Sequence, residues 1–380
     1  MSTALLNARI LLSDGFRADR AVLIDGERIT ALVDRSDARV ANAQVHDLGG
    51  RFLVPGFIDC QVNGGGGVLL NDDPSVAALE RMVAAHRGFG TTGLLPTLIT
   101  TDLEVMRAAI AAVRQAITAG NPGILGIHLE GPLLSPARPG VHDPALFREV
   151  DPQLIDLLSS LGVGRTVVTI APECVPLPAI RELTRRGVIL CAGHSGADYA
   201  TARAAFESGV RGVTHLFNAM SPLQSRDPGM VGAALDDPDC WCGLVVDGHH
   251  VHPATLRVAV AAKRRGRMML VTDAMSCVGT SETSFMLGAE RVTCVDGVCK
   301  TADGVLAGSA LDMANAVRNS VRLLNLPLDE AARMAATYPA EFLGLSAERG
   351  RIAEGLRADF VELDEGLRVQ QVWEGGRPQL

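Results

Sequence analysis

The stretch Gly123-Ile-Leu-Gly-Ile-His-Leu-Glu130 joins a short apolar run to an acidic side chain. Three later stretches repeat this form, each ending in a histidine or an aspartate: Val188-Ile-Leu-Cys-Ala-Gly-His194, Val213-Thr-His215 and Met268-Met-Leu-Val-Thr-Asp273. Short apolar runs of this kind are typical of buried strands. A (β/α)8 barrel carries its active site at the carboxyl ends of its strands. The four stretches therefore predict a barrel with these four polar side chains at one rim.

The middle of the chain, from about 54 to 345, alternates strand-like and helix-like segments. The strand candidates are 53–62, 91–98, 124–130, 166–170, 188–194, 212–216, 241–246 and 268–273. Eight strands with crossover helices match the arithmetic of a barrel. The alternative is a doubly wound open sheet, which would collect its site residues at one switch point. Site residues on four different strand ends favour the barrel. Between 284 and 308 the alternation breaks, and an Asp296-Gly297 turn predicts an inserted hairpin.

Both ends of the chain are rich in short apolar runs separated by turn residues. Asp-Gly turns recur within the first 53 residues, and the last 30 or so show the same pattern. We expect the two ends to join in one small sheet domain. The predicted division is 1–53 with 346–380 for this domain and 54–345 for the barrel.

Composition narrows the class of protein. The chain has 380 residues, 47% of them hydrophobic and 21% charged, which fits a large globular core. A net charge of -8 and a pI of about 5.6 argue against a nucleic-acid partner. No segment approaches the ~18 apolar residues of a membrane span, and the start lacks the pattern of a signal peptide. Eight cysteines without a CxxC motif are expected to be reduced thiols in a cytoplasmic protein.

Glu130, His194 and His215 offer one carboxylate and two imidazoles, a donor set that suits Zn²⁺ or Fe²⁺. Three protein ligands leave one position for water, as in catalytic metal sites. Asp273 beside them would take and return a proton during catalysis. The alternative for each residue alone is an ordinary polar group at a barrel rim.

Further candidates lie on the loops. One of the three histidines His249, His250 and His252 is expected to reach the site. Arg226 suits a bidentate hold on phosphate or carboxylate, although a lone arginine is more often a surface residue. The glycine run 64–67 permits close backbone approach to a ligand, but it lacks the lysine of a phosphate-binding loop.

Several ordered motifs carry a resemblance to a known family. They are Pro55-Gly-Phe-Ile-Asp-Cys-Gln-Val-Asn-Gly64, Gly90-Thr-Thr-Gly93, His128-Leu-Glu-Gly-Pro132, Ala192-Gly-His-Ser195, Thr214-His-Leu-Phe-Asn-Ala-Met220, Asp247-Gly-His-His250, Val271-Thr-Asp-Ala274 and Leu306-Ala-Gly-Ser309. With them the chain resembles the N-acetylglucosamine-6-phosphate deacetylases of the amidohydrolase superfamily.

The resemblance implies a barrel with a small β-sandwich and hydrolysis of the acetamide of N-acetyl-D-glucosamine 6-phosphate. It assigns Glu130, His194 and His215 to one divalent metal and Asp273 to the acid/base role. It also implies a sugar site formed by His142, Asn218, Ala219 and Leu306. The substrate phosphate would be taken by Arg226 and His250, both supplied to the neighbouring subunit's site in a homodimer.

One departure from the wider superfamily concerns metal number. Many members carry His-x-His at the first strand and bind two metals, whereas this chain has Gln61-Val62-Asn63. Amides are poor ligands for zinc or iron, so we expect one metal ion, which could be Zn, Fe, Co or Mn. Gln61 and Asn63 would hydrogen-bond the metal's water ligand or support the neighbouring side chains.

Three other functions stay open at this point. The first is deacetylation of the epimer, N-acetylgalactosamine 6-phosphate. The second is hydrolysis of a cyclic amide, as in a dihydroorotase or hydantoinase, and the absent His-x-His disfavours it. The third is a non-catalytic barrel that senses amino-sugar phosphate, which four intact site residues disfavour.

Overall fold

The computed structural model describes residues 2–380 and is built around eight parallel strands. They are β8 (Phe57–Val62), β11 (Thr91–Ile99), β12 (Gly126–Glu130), β13 (Arg165–Ile170), β14 (Ile189–Ala192), β15 (Val210–Val213), β16 (Trp241–Leu244) and β17 (Met268–Leu270). Neighbours in the chain are neighbours in the sheet. Just past β17, the Asp273 amide donates to the Gln61 carbonyl at 2.9 Å, and the Asn63 amide donates to the Ala274 carbonyl at 2.9 Å. These bonds join the last strand to the first, so the predicted barrel is confirmed.

Helices cover the outside of the barrel. They are α2 (Val76–Arg87), α3 (Leu103–Thr118), α4 (Pro152–Leu158), α5 (Leu177–Arg185), α6 (Tyr199–Ser208), α7 (Gly229–Asp236), α8 (Pro253–Ala262), α9 (Met313–Leu324), α10 (Leu328–Ala335) and α11 (Thr337–Phe342). Several begin at a side-chain cap, as where Ser75 accepts from the Ala78 amide and Asp198 from the Thr201 amide. Strands such as β8 and β12 are buried along their whole length, because helices and barrel interior cover both faces.

Two sheets at the ends of the chain form the sandwich. One has the order β5-β4-β1-β6 and the other β24-β23-β22-β7-β2-β3. Their strands are β1 (Thr3–Leu6), β2 (Arg9–Leu12), β3 (Gly15–Arg17), β4 (Arg20–Asp25), β5 (Arg28–Asp34), β6 (Gln44–Asp47), β7 (Phe52–Pro55), β22 (Phe360–Leu363), β23 (Val369–Glu374) and β24 (Arg377–Pro378), with helix α1 (Ala38–Ala41) between β5 and β6. Leu5, Ile24 and Phe360 are buried in one core that the two sheets share. The sandwich built from both termini is confirmed, while the division at 53/54 and 345/346 stays a prediction.

An antiparallel ribbon follows the last barrel strand. Its strands, in the order β18-β19-β20-β21, are β18 (Ser284–Leu287), β19 (Glu290–Val295), β20 (Val298–Lys300) and β21 (Leu306–Ser309). The hairpin predicted around Asp296-Gly297 lies between β19 and β20. At the far end, the Ser309 amide donates to the Asp273 carbonyl at 2.8 Å, which attaches the ribbon to the barrel rim. A two-stranded ribbon, β9 (Gly64–Gly65) with β10 (Val68–Leu69), follows the first barrel strand.

Within residues 2–380, no helix combines the length and the apolar character that crossing a membrane requires.

Candidate active site

The four rim residues stand where their strands end. Glu130 is the last residue of β12, and His194 and His215 each follow their strand by two residues. His194, His215 and Asp273 have backbone φ angles of 48°, 27° and 54°, a region that non-glycine residues rarely adopt. Such conformations cost of order 1–3 kcal/mol each and cluster at functional sites. The chain thus leaves the strands β14, β15 and β17 by sharp turns, each of which carries a candidate site residue.

Glu130, His194 and His215 converge on one point. The His215 Nε2 atom lies 3.1 Å from Glu130 Oε1, and His194 Nε2 lies 3.4 Å from the same oxygen. The two imidazole Nε2 atoms are 3.2 Å apart, and all three side chains are buried. Ligand atoms about 2.0–2.2 Å from a tetrahedral zinc ion lie roughly 3.3–3.6 Å from one another. The donor set and its spacing therefore fit one divalent cation.

The histidine tautomers agree with this interpretation. His194 Nδ1 lies 3.1 Å from the Arg138 carbonyl, an acceptor, so Nδ1 carries the proton and Nε2 presents its lone pair to the cluster. Among residues 2–380, His215 Nδ1 has no hydrogen-bond partner. Its Nε2 atom faces both Glu130 and His194. Two imidazole nitrogens and a carboxylate oxygen facing each other at these distances need a cation or a proton between them.

Asp273 lies beside this cluster between two amides. Asn63 Nδ2 donates to Asp273 Oδ1 at 2.6 Å, and Gln61 Nε2 donates to the same oxygen at 3.1 Å. Gln61 Nε2 also lies 3.4 Å from each oxygen of Glu130. The amides that replace a His-x-His pair thus hold the carboxylates. The Asn63 Oδ1 atom is buried and lacks a partner within the described residues, so one polar atom is left for a ligand or a water.

Charge and burial shift the pKa values of Asp273 and Glu130 in opposite directions. Burial raises the pKa of Asp273, and the negative charge of Glu130 raises it further. Burial also acts to raise the pKa of Glu130, but hydrogen bonds from His194 and His215 outweigh it and hold that pKa well below its usual value. For His215, burial lowers the pKa, but the hydrogen bond to Glu130 and the negative charges of Glu130 and Asp273 together outweigh burial, so its pKa is raised. A divalent ion at this point would take over the role of the protons and lower the pKa of Asp273.

A cavity of about 400 Å³ opens onto these residues. It contains five of the six predicted substrate-binding residues: His142, Asn218, Ala219, His250 and Leu306. His142 lies against His194 with ring centroids 4.4 Å apart. Burial and the charge of His194 lower the pKa of His142 to about 3, so this imidazole is neutral. The Thr100 amide donates to His142 Nδ1 at 3.3 Å, which leaves the proton on Nε2 as a donor to the cavity.

His250 and Arg226, the two residues expected to hold phosphate, lie in different places. His250 lines the cavity of its own chain, with its Nδ1 atom 2.6 Å from Asp247 Oδ2. The expectation that His250 acts in the site of a neighbouring subunit stays a prediction. The other two histidines of this loop, His249 and His252, are exposed. This agrees with the expectation that one of the three histidines reaches the site. Arg226 is exposed and does not line the cavity.

Asp247, Arg138 and Met275 are among the residues that contribute to the site without having been predicted. Asp247 accepts from the His249 and His250 amides and fixes the His250 ring, and its position three residues before His250 could have indicated this turn. Arg138 orients His194 through its backbone carbonyl, which its side-chain type does not reveal. Met275 lines the cavity from the loop after Asp273.

A buried series of hydrogen-bonded side chains lies beneath the site, inside the barrel. His128 Nε2 lies 2.8 Å from Thr169 Oγ1, which lies 2.7 Å from Thr214 Oγ1. Burial lowers the pKa of His128 to about 4, so it is neutral at physiological pH. Since Thr214 immediately precedes His215 and His128 lies two residues before Glu130, this series connects the strands that carry two of the cluster's ligands.

Comparisons with known proteins agree with this geometry. The model of the amidohydrolase family matches residues 52–378. An N-acetylgalactosamine-6-phosphate deacetylase from Shewanella sp. (strain ANA-3) is 48% identical over 326 residues, covering 85% of this chain and 82% of the relative. An N-acetylglucosamine-6-phosphate deacetylase from Haemophilus influenzae is 37% identical and covers 97% of each chain. A solved structure of a mutant N-acetyl-D-glucosamine-6-phosphate deacetylase from Mycobacterium smegmatis, in complex with N-acetyl-D-glucosamine 6-phosphate, superposes with a TM-score of 0.92 at 35% identity and 99% coverage of both chains.

Proposed function

This chain belongs to the amidohydrolase family, and on that premise we propose that it hydrolyses the acetamide of N-acetyl-D-glucosamine 6-phosphate in amino-sugar catabolism. The products are D-glucosamine 6-phosphate and acetate. The observation that carries the proposal is the cluster of Glu130, His194 and His215 with Asp273 beside it, at the base of a cavity large enough for a sugar phosphate. The deacetylase relatives that cover nearly the whole chain support the substrate class.

We propose that Glu130, His194 and His215 hold one divalent ion, with Zn, Fe, Co or Mn compatible with the donors. Such an ion, when bound, lowers the pKa of water and polarises an amide carbonyl. Gln61 and Asn63 are amides that donate to the carboxylates, which supports a single ion at this rim.

Asp273 is the proposed general base and acid. In its ionised form it takes a proton from the attacking water, and it then returns a proton to the amine nitrogen as the C–N bond breaks. Asn63 and Gln61 hold its Oδ1 atom, which leaves Oδ2 for the reaction. His142, neutral and protonated on Nε2, is placed to donate to the oxygen of the acetamide as negative charge develops there.

The proposed sugar site consists of His142, Asn218, Ala219 and Leu306, which line the cavity. His250, beside the cavity, is a proposed phosphate contact. Arg226 lies on the surface, and we propose that it reaches the phosphate in the site of a second copy, in a homodimer. The proposal places the enzyme in the cytoplasm, as the sequence predicts.

N-acetyl-D-galactosamine 6-phosphate is the second candidate substrate. The specific observation that favours it is the Shewanella deacetylase for that sugar, which at 48% is more similar in sequence than the Haemophilus enzyme at 37%. The two sugars differ only in the orientation of one hydroxyl group, so both fit the same chemistry.

The experiment is acetate release from both 6-phosphates and from unphosphorylated N-acetyl-D-glucosamine, with metal content measured on the same sample. We expect turnover of the glucosamine compound and a much lower kcat/KM without the phosphate. A preference for the galactosamine epimer would select the second candidate. A metal-loaded protein that releases no acetate from any of the three would contradict both.

A further inference from the structure

Three cysteines meet where the β18–β21 ribbon joins the barrel rim. Cys294 on β19 and Cys299 on β20 are direct cross-strand partners, and their Sγ atoms are bonded as a disulfide. The Sγ atom of Cys277, on the loop after Asp273, lies 3.4 Å from that of Cys294 and 3.8 Å from that of Cys299. All three side chains are buried. We call these residues the sulfur cluster. The expectation that all eight cysteines are free thiols is wrong for this pair.

The surroundings of the sulfur cluster favour neutral sulfur over thiolate. Leu69, Met275, Val292 and Ala307 are buried around it. Burial, with a smaller contribution from the negative charge of Glu282, raises the pKa of the Cys277 thiol to about 11. A divalent metal bound by three thiolates would carry net negative charge in this apolar environment beside a carboxylate. A disulfide next to a protonated thiol carries no charge.

The sulfur cluster also contacts the structures that form the active-site cavity. The ribbon contributes Val305, Leu306 and Gly308 to the cavity wall. Cys277 follows Asp273 by only four residues, and Met275 between them lines the cavity. Close-packed interiors transmit displacements because they contain few voids. A change in the volume of the sulfur cluster therefore acts on both the ribbon wall and the catalytic loop.

We propose that the sulfur cluster is a thiol–disulfide modification site whose oxidation state controls the fit of the ribbon against the active-site cavity. Oxidation by a low-molecular-weight disulfide removes two protons and two electrons from Cys294 and Cys299, forms their S–S bond and releases two small thiols. A dithiol reverses the reaction. Disulfides in reducing compartments are usually transient or redox-sensing, which fits a reversible role here.

Cys277 connects the disulfide to the loop that follows Asp273, because it lies on that loop and contacts both bonded sulfur atoms. Bonded sulfur atoms lie about 2.05 Å apart, whereas two free thiols need a full non-bonded separation. Because Cys277 already touches both sulfurs, the reduced pair has no free space on that side. Separation of the two thiols must therefore move the ribbon or the loop that follows Asp273. Cys277 is protonated at neutral pH and attacks the disulfide slowly, so the bond stays between Cys294 and Cys299.

The test equilibrates the full-length, metal-loaded protein in oxidised and in reduced glutathione, followed by alkylation and peptide mass spectrometry. We expect the oxidised protein to contain one disulfide, Cys294 to Cys299, and the reduced protein to contain none. Reduction should speed proteolytic cleavage within 284–309 and raise KM about threefold or more, with metal content and kcat changed little. The cleavage assay does not depend on deacetylase activity, so the redox proposal can fail or succeed separately from the proposed function.

Three variants make the test specific. The double variant Cys294→Ser/Cys299→Ser, whose two hydroxyl groups also need a non-bonded separation, should behave as the reduced protein in both buffers. Cys277→Ala should keep the disulfide but show a smaller change in KM, since the contact with the catalytic loop is lost. Cys174→Ala, the matched control at a partly exposed thiol away from the ribbon, should respond as the wild type does.

Three results would overturn the proposal. The first is free thiols at Cys294 and Cys299 in the oxidising buffer. The second is a disulfide that changes neither proteolysis nor KM. The third is a second equivalent of zinc in the reduced protein that Cys277→Ala removes, which would make the sulfur cluster a metal site instead.

Discussion

Asp273 combines two properties that a general base needs, a fixed position and a tunable proton affinity. Amide hydrogen bonds from Asn63 and Gln61 fix Oδ1, and burial with the charge of Glu130 raises the pKa of the carboxyl group. A carboxylate whose pKa lies above its ordinary range is a stronger base at neutral pH. Its proximity to the Glu130 cluster makes its proton affinity depend on the charge held there.

The substitution Asp273→Asn tests this role. Asparagine has nearly the same shape and cannot accept a proton, so we expect kcat to fall about 10²- to 10⁴-fold. The fold and the metal content should be unchanged, because Glu130, His194 and His215 are intact. Steady-state kinetics with metal analysis measures both quantities, and activity within about twofold of wild type would remove Asp273 from the mechanism.

Asp59 predicts a pH effect on stability. It is fully buried, accepting from Thr272 Oγ1 at 2.5 Å, and burial raises its pKa from 3.8 to about 7. The folded protein therefore favours the protonated form of Asp59. Its contribution to the free energy of unfolding is complete below the pKa of the unfolded chain, and it is lost as the pH rises through about 7. Between about pH 5 and about pH 8 this loss amounts to roughly 2–3 kcal/mol.

The measurement compares wild type with Asp59→Asn at equal metal content. Denaturant unfolding near pH 5 and near pH 8 should show the wild type losing more stability than the variant over this interval. Equal losses in the two proteins would mean that Asp59 does not titrate in this range.

At the scale of elements, the ribbon wall depends on a glycine. Gly308 has φ +61°, and a Cβ atom there would lie 2.5 Å from Met275 Sδ and 2.9 Å from the Asp273 carbonyl oxygen. A Cβ atom less than about 3 Å from a backbone atom forces one of the two to move. A side chain at position 308 would therefore displace the backbone of Asp273. Gly304, in the same ribbon, has φ +82° with no atom within 4 Å of its Cβ position.

This difference gives a matched pair of variants. Both Gly308→Ala and Gly304→Ala place alanine at a positive φ angle, so the backbone strain of about 1 kcal/mol is common to both. Only Gly308→Ala should lower kcat/KM, by about ten- to a hundredfold, because it shifts the catalytic carboxylate. Equal kinetics for the two variants would show that the ribbon does not position Asp273.

Sequence patterns identified the strands better than their ends. The run 188–194 was predicted as strand, whereas β14 ends at Ala192 because Gly193 and His194 turn out of the sheet with φ 48° at His194. The sequence pattern predicts one strand over 53–62, but Gly56 divides this run into a sandwich strand, β7, and a barrel strand, β8. Helix α7 was not predicted, because its buried Gly-Met-Val-Gly-Ala-Ala sequence lacks an amphipathic period.

At the scale of the whole molecule, contacts between segments that are distant in the chain limit what can be predicted from the sequence. Glu130, His194, His215 and Asp273 could be predicted because each ends its own strand of a known architecture. The sulfur cluster could not, since 17 residues separate Cys277 from Cys294 and only the folded ribbon brings them together. The position of Arg226 outside the cavity also depends on the path of its loop, which no local pattern encodes.

The proposed homodimer predicts complementation between two inactive variants. In a mixed dimer of Arg226→Ala and Asp273→Asn subunits, one site would combine Asp273 from its own chain with Arg226 from the partner. Random reassociation makes about half of the dimers mixed, with one of two sites intact, so about a quarter of wild-type activity should return. Kinetics after mixing and subunit exchange measure this recovery. Activity no higher than the sum of the separate variants would mean that Arg226 does not act across the interface.

The most direct measurement of the central claim is a metal titration of the metal-free protein, with acetate release from N-acetyl-D-glucosamine 6-phosphate recorded at each step. The cluster of Glu130, His194 and His215 predicts that activity is absent without metal and rises linearly to a plateau at one equivalent of Zn²⁺ per chain. A plateau at two equivalents would mean that a second ion is needed. It would contradict the assignment of Gln61 and Asn63, which are proposed to bind carboxylates and not a metal ion. Full activity without metal would contradict the site as a whole.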